Sequence, residues 1–220
     1  MQNKITEVVF VIDESGSMYD LTKDTVGGVN KVIDEQKSTA NDDTVYVNLV
    51  TFNYKNKIVY DRVKLEDVKP FSTSQYSPNG GTALYDAVCS TIEKISDIHK
   101  YIRKEDVPQN TLFVIVTDGM ENSSVKYSGR DVKNMIDEKK KAGWEFLFLG
   151  ANIDSEEVAK EIGIDKDHAM NWMCDESSVA YAYEGFGCAV KNARAGKIYA
   201  RECFAKLDAD YKKRSKKKGK

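Results

Sequence analysis

The chain has 220 residues, of which 41% are hydrophobic and 31% are charged, a composition typical of a soluble globular chain with a sizeable core. No run of about 18 apolar residues occurs, so we expect no membrane span, and 3 prolines exclude a proline-rich linker. The formal net charge of -2 hides an asymmetry, because residues 212–220 hold 7 of the 33 basic residues and no acidic one. We therefore predict an acidic body with a basic end.

Strands and helices alternate along the sequence. In chain order, we predict a strand at 7–12, a helix at 22–38, a strand at 44–52, a short returning strand at 57–60, a loop at 61–81, a helix at 83–104, a strand at 111–117, a helix at 129–142, a strand at 144–149, a short helix from residue 154, a short strand or loop at 165–173 and a helix at 177–193.

The core strands are mostly apolar runs rather than alternating ones, which is typical of a parallel sheet buried on both faces. We therefore predict an α/β fold of the Rossmann-like, three-layer kind. Its sheet would be doubly wound and mostly parallel, with one short antiparallel edge strand at Lys57–Tyr60. In such sheets, ligands bind beyond the C-terminal ends of the strands, where the strand order reverses.

The sequence predicts a single domain over residues 1–211, with a C-terminal helical extension at 175–211 and a disordered basic tail at 212–220. The tail could contact nucleic acid through its clustered charges. We favour a solvated end instead, because no aromatic residue interleaves with the basic ones. The tyrosine-rich stretch at 179–186 is expected to pack its aromatic face on the sheet, and an interaction surface is the alternative.

The number and spacing of the cysteines indicate their redox state and whether they could bind zinc. The four cysteines, Cys89, Cys174, Cys188 and Cys203, are widely spaced and form no CxxC pair. We therefore expect free thiols in a reducing compartment and no zinc site. The N-terminal residues enter the first strand at once and leave no room for a signal peptide, which predicts a cytoplasmic protein.

The segment Asp13-Glu14-Ser15-Gly16-Ser17 follows an apolar run at 8–12 and places a carboxylate and two hydroxyls where a core strand ends. Hard oxygen ligands grouped in this way suit Mg2+ or Mn2+. Further along, Gly80-Gly81-Thr82 opens a helix, and Thr117-Asp118-Gly119 ends a second core strand. Because both strands end at the same edge of the predicted sheet, Asp13 and Asp118 can converge despite their distance in sequence.

Together these three segments resemble the metal-ion-dependent adhesion site (MIDAS) of the von Willebrand factor type A (vWA) family, over roughly residues 5–165. The resemblance implies that Mg2+ or Mn2+ is held by Asp13, Ser15, Ser17, Thr82 and Asp118. The alternative is that the serines cap a turn and Asp118 caps the next helix. One departure from the pattern is Asp20-Leu21, where some eukaryotic members have two adjacent aspartates and a second metal site.

The predicted function is divalent-metal-dependent binding of a protein partner. Neutral hydroxyl ligands leave a cation poorly neutralised, so an exposed Asp or Glu of the partner would complete its coordination. The likeness to intracellular bacterial members implies a place in a larger assembly. We expect no enzymatic activity, because the sequence has no phosphate loop and no placed base or nucleophile. The alternative is a metal-dependent phosphohydrolase in which Asp13 and Asp118 help Mg2+ to activate water, although no phosphate loop or nucleophile elbow is present.

The loop at 61–81 is the longest segment without periodicity, and long loops in compact domains are often functional. We predict that it frames the binding face and delivers Thr82 to the metal. Tyr76 would be its aromatic contact with a partner. A connector without specific contacts is the alternative.

Overall fold

The structure is a computed structural model that describes residues 4–39, 43–197 and 201–218. Its six strands are β1 (Lys4–Asp13), β2 (Asp43–Phe52), β3 (Asn56–Lys64), β4 (Asn110–Thr117), β5 (Trp144–Ala151) and β6 (Ala169–Trp172). Its six α-helices are α1 (Thr22–Ser38), α2 (Leu84–Tyr101), α3 (Gly129–Lys141), α4 (Ser155–Glu161), α5 (Glu176–Arg194) and α6 (Ala205–Lys218). No helix within the described ranges has both the length and the apolar character that crossing a membrane requires.

The six strands form one sheet in the order β3-β2-β1-β4-β5-β6. All neighbours are parallel except β2 and β3, which are antiparallel, so the predicted sheet with one antiparallel edge strand is confirmed. The strand order reverses between β1 and β4, which are direct neighbours with Ile12 opposite Val116. The segments that follow these two strands therefore leave the sheet side by side, at the position where doubly wound sheets bind ligands.

Helices cover both faces of the sheet, which makes three layers. One core cluster joins α1 and α5 to Val8, Phe10 and Ile12 of β1. The other joins α2 and α3 to Val9 and Val11 of the same strand. Successive strand residues point to opposite faces, so an uninterrupted apolar run is what a strand buried on both sides requires.

The edge strand β3 is longer than predicted and runs to Lys64 rather than Tyr60. Its pairing with β2 shifts register on either side of Leu49, and Arg62 adopts a left-handed φ of 49°. The backbone N–H of Arg62 donates to the Asn48 side chain at 2.9 Å instead of following a regular ladder. This irregularity breaks the period-two pattern by which a strand is recognised in sequence.

The last two helices form a tied pair against the sheet. Gly185 of α5 lies against the Phe204 ring, where an added Cβ would come within 2.4 Å of ring atoms. Cys188 and Cys203 form a disulfide, so the prediction of free thiols is wrong for this pair, although Cys89 and Cys174 are free. Packing of α5 against the segment before α6 brings the two Cα atoms to 5.5 Å, a separation that sequence spacing does not reveal.

The predicted disordered tail is wrong for residues 212–218, because α6 is helical through Lys218. Arg214 explains why the helix continues. Its guanidinium forms ion pairs with Asp175 at the start of α5 and with Asp210 one turn earlier in α6. Residues 219 and 220 lie outside the described ranges.

Replacing Arg214 with Ala should lower the melting temperature by about 2–4 °C, the effect of about 1 kcal/mol in a chain of this size. The physical reason is the loss of the ion pair with Asp175, which holds α6 on α5, and of the pair with Asp210, which supports α6 itself. Thermal denaturation followed by circular dichroism measures the change. Lys213→Ala is the matched control, because Lys213 is an exposed neighbour on the same helix. Equal melting of the two variants would show that α6 contributes nothing through Arg214.

Candidate metal centre

Asp13, the last residue of β1, is buried, and both of its carboxylate oxygens are held. Its Oδ1 accepts from the Ser15 backbone N–H at 2.7 Å, and its Oδ2 accepts from Thr117 Oγ1 at 2.6 Å. The second bond links the ends of β1 and β4. The carboxylate is therefore oriented by the two strands that flank the reversal of strand order.

Two serines and a second carboxylate lie close together in the segments that follow β1 and β4. Ser17 Oγ donates to Asp118 Oδ1 at 2.7 Å, and Ser15 Oγ lies 3.5 Å from the same oxygen. The two serine hydroxyls are 3.2 Å apart. Adjacent ligands of an octahedral Mg2+ with bonds of about 2.1 Å lie about 3 Å apart. These three oxygens thus have the spacing that a shared small cation requires.

Thr82 is delivered by the glycine pair before it. Gly80 has a φ of 77°, and its carbonyl accepts from the Gly16 N–H at 3.1 Å, so the two loops touch through their backbones. Thr82 exchanges hydrogen bonds with Asn122 in the loop after β4. Its hydroxyl lies 3.8 Å from the position that a Cβ on Gly119 would occupy, next to Asp118. The structure thus brings all five predicted residues to one edge of the sheet.

Burial dominates the electrostatics of the two carboxylates. It raises the pKa of Asp13 to about 6, and the nearby charge of Asp118 adds to this effect. Burial also raises the pKa of Asp118 above its ordinary value. No described basic residue forms an ion pair with either group to offset the desolvation. Two buried carboxylates in this situation are stabilised by a bound cation.

Two supporting residues lie outside the predicted set. Glu14 is buried and accepts from Thr51 Oγ1 at 2.5 Å and from Lys57 Nζ at 2.7 Å, so its charge is neutralised inside the fold. Tyr76 is only 1% exposed, and its hydroxyl donates to the Asp13 carbonyl at 2.5 Å. The prediction that Tyr76 contacts a partner is therefore wrong. Because the loop at 61–81 has no hydrophobic periodicity, no sequence pattern indicates that this ring is buried.

The loop between β4 and α3 is held against the start of α2 by two carboxylates. Glu121 accepts from the backbone N–H groups of Tyr85, Ser123 and Ser124. Asp86 accepts from the backbone N–H groups of residues 125–127. The loop that follows Asp118 thus has a fixed backbone. Sequence reasoning missed both residues, because acidic residues in a polar loop usually face solvent.

The stabilisation of this protein by Mn2+ should shrink as the pH falls below about 6. In the metal-free fold, the raised pKa of Asp13 favours the protonated form below this value, and a protonated carboxyl cannot ligate a cation. The same raised pKa costs stability as the pH rises through about 6, so the metal-free protein gains relative stability in acid. Both effects reduce the difference in melting temperature between Mn2+-loaded and metal-free protein.

Melting curves recorded with and without Mn2+ between about pH 5 and about pH 7.5 would test this prediction. Asp13→Asn is the control, because its side chain does not titrate. A difference that stays constant across this range in the wild type would contradict the assignment of Asp13 to the metal centre.

The fold and this group of oxygens together define a class of protein. A family model for the von Willebrand factor type A domain matches residues 7–181, and the chain belongs to this family. The sequence finds no match among curated proteins.

Several solved structures share the fold at low identity. The von Willebrand factor domain of the type V pili tip protein Mfa5 from Porphyromonas gingivalis is 12% identical with a TM-score of 0.59, and the match covers 91% of this chain and 98% of that one. The pilus adhesin SpaC from Lactobacillus rhamnosus GG, in an open conformation, is 15% identical with a TM-score of 0.63, over 89% of this chain and 31% of that one.

A third structure, proximal thread matrix protein 1 from the mussel byssus with a zinc-occupied MIDAS motif, is 14% identical with a TM-score of 0.57. The match covers 85% of this chain and 46% of the mussel chain. The present chain thus spans less than half the length of the SpaC and mussel chains. Similarity at these identities shows the fold alone.

Proposed function

We propose that this chain is a divalent-metal-dependent protein-binding module. Mg2+ or Mn2+ would be held by Asp13, Ser15, Ser17, Thr82 and Asp118, and an acidic side chain of a protein partner would complete the coordination. The observation that carries the proposal is a group of three oxygens, from Ser15, Ser17 and Asp118, that lie within 3.5 Å of one another. Beside them lies the buried carboxylate of Asp13, and no described basic residue forms an ion pair with either aspartate.

The candidate ligands are of two kinds, neutral hydroxyls and charged carboxylates. Ser15, Ser17 and Thr82 would offer hydroxyl oxygens, which do not reduce the charge of a cation. Asp13 is oriented in advance by the Ser15 N–H and by Thr117, so it needs no rearrangement. When bound, the cation supplies a positive centre that attracts an anionic oxygen from outside.

A hydrolytic role lacks an observation in its favour. His99, a potential base, hydrogen-bonds Glu7 at 2.7 Å. Glu7 precedes Asp13 by 6 residues on β1, which places it about 20 Å from the site at the rise of a strand. His99 therefore lies toward the N-terminal ends of the strands, away from the candidate ligands.

The assembly and the location of the protein remain proposals. SpaC is a pilus adhesin and Mfa5 is a pili tip protein, which supports a role for the present chain within a larger assembly. The cytoplasmic location and the intracellular bacterial type stay predictions from the sequence. The Cys188–Cys203 disulfide argues against a reducing compartment, because such bonds persist mainly in oxidising ones. Thiol labelling of the protein in intact cells of its source would decide between these locations.

A pull-down of partners from a lysate of the source cells, with Mn2+ or with EDTA, tests the function. We expect proteins that are captured in Mn2+, released by EDTA and not captured by Asp118→Asn. Identical capture under all three conditions would contradict the proposal. A parallel assay with p-nitrophenyl phosphate and Mg2+ addresses the alternative. Turnover that disappears in Asp13→Asn would favour the phosphohydrolase.

A further inference from the structure

Three large apolar side chains are exposed beside the metal centre. Each lies close, in sequence or by packing, to a different one of the proposed metal-binding residues. Tyr19 lies two residues after Ser17 and is 70% exposed, and Met120 lies two residues after Asp118 and is 66% exposed. Tyr54 is 64% exposed and packs on the glycine pair that precedes Thr82. We call Tyr19, Tyr54 and Met120 the apolar rim.

The backbone under each rim residue is fixed. A Cβ added to Gly80 or Gly81 would lie within 2.5 or 2.9 Å of Tyr54 ring atoms, so the backbone of these glycines supports the ring. Tyr19 belongs to a 3-10 turn whose Met18 and Leu21 are buried.

Met120 precedes Glu121, the carboxylate that holds the loop after β4. Because the backbone beneath the rim is already held in place, binding of a partner there costs this chain little backbone conformational entropy.

The charges beside the rim argue against a partner segment with many acidic residues. The exposed residues next to Tyr19 and Tyr54 are Asp20 and Lys55, which have opposite signs. The oxygens of Glu121, next to Met120, accept hydrogen bonds from its own loop and from the Tyr85 N–H at the start of α2. Among the described residues beside the rim, Asp20 and Lys55 offset each other, so no basic cluster attracts further acidic side chains to the metal centre. Around it, the surface offers aromatic and thioether groups, the types enriched at protein interfaces.

We propose that the partner segment carries a single Asp or Glu between apolar residues. Its carboxylate would meet the metal while its apolar neighbours cover Tyr19, Tyr54 and Met120. This inference rests on the proposed function and specifies the partner for the same site. Covering the rim would also exclude water from around the metal, and a lower local dielectric strengthens the attraction between cation and carboxylate.

A display library of peptides tests the proposal. Each peptide carries one fixed central Asp or Glu with four randomised positions on either side, and selection uses the full chain with Mn2+ and elution with EDTA. We expect Phe, Tyr, Trp, Leu, Ile and Met to be enriched next to the fixed acid. Enrichment of further acidic residues, or Mn2+-dependent peptides without any preference at the flanks, would overturn the inference and leave the proposed function standing. Failure to recover any Mn2+-dependent peptide would overturn both.

Variants of the rim give an independent readout on a selected peptide. The triple variant Tyr19→Ser/Tyr54→Ser/Met120→Ser should weaken peptide binding about 100-fold, since each contact of this kind changes affinity about several-fold to tenfold. Its affinity for Mn2+ alone, measured by calorimetry, should equal that of the wild type, which shows that Thr82 is still in place. Tyr101→Ser is the matched control, because Tyr101 is 78% exposed at the far end of α2. Unchanged peptide binding by the triple variant would contradict the proposal.

Discussion

Replacing Asp118 with Asn should abolish measurable Mn2+ binding and raise the melting temperature of the metal-free protein. The substitution removes one of two buried carboxylates whose pKa values are raised by desolvation. The Asn oxygen can still accept from Ser17, so the local hydrogen bonding remains. Loss of a charged ligand should reduce the affinity for Mn2+ at least about 100-fold, whereas removal of an uncompensated buried charge stabilises the fold.

Isothermal titration calorimetry with Mn2+ and thermal denaturation of the dialysed protein measure these two opposite effects. Asp20→Asn is the matched control, because Asp20 is an exposed carboxylate in the turn that follows Ser17. It should leave both the affinity and the melting temperature of the protein unchanged. A lower melting temperature of Asp118→Asn without metal would mean that Asp118 is a structural cap, as the alternative prediction from the sequence states.

Replacing Tyr76 with Ala should destabilise the protein by about 3–5 kcal/mol, the usual cost of truncating a fully buried aromatic side chain. In a chain of this size, that corresponds to a fall of roughly 10 °C in melting temperature. The ring packs edge-to-face on Phe71, and its hydroxyl holds the Asp13 carbonyl. Affinity for Mn2+ should therefore fall too, because the end of β1 loses a support.

Tyr76→Phe separates the two contributions, because it keeps the ring and removes only the hydroxyl. It should cost about 1–2 kcal/mol and weaken Mn2+ binding by a smaller factor. Tyr19→Ala serves as the exposed control, with no expected change in melting temperature. If Tyr76→Ala melts like the wild type, the ring is not part of the core and the assignment of Tyr76 as a support of the site fails.

The fold could be predicted where burial on both faces leaves a simple pattern. The apolar run before Asp13 has residues in both core clusters, so its strand was evident. The five candidate ligands could be placed together because each follows a core strand or opens a helix. Parallel strands bring such positions to one edge of the sheet.

Most of the predictions that the structure contradicts depend on tertiary contacts. The sequence does not reveal the burial of Tyr76, the docking of Arg214 or the bond between Cys188 and Cys203. In each case the partner residue is remote in sequence or lies in a segment without periodicity. A run of basic residues is usually a solvated face, and only tertiary contact with Asp175 reveals that Arg214 is docked. The length of β3 was missed for a local reason, since an irregular residue interrupts its alternation.

The end of the family match does not mark a suitable place to join this domain to another protein. The match stops at residue 181, inside α5, which continues to Arg194. A fusion joined at that point would remove Phe186, whose ring meets Phe10 of the central strand at 6.3 Å, and would uncover one face of the sheet. The Cys188–Cys203 disulfide and the Arg214–Asp175 ion pair join α5 to the segment that ends in α6. The smallest portable unit therefore extends through α6, and a tag or second protein is best attached after Lys218.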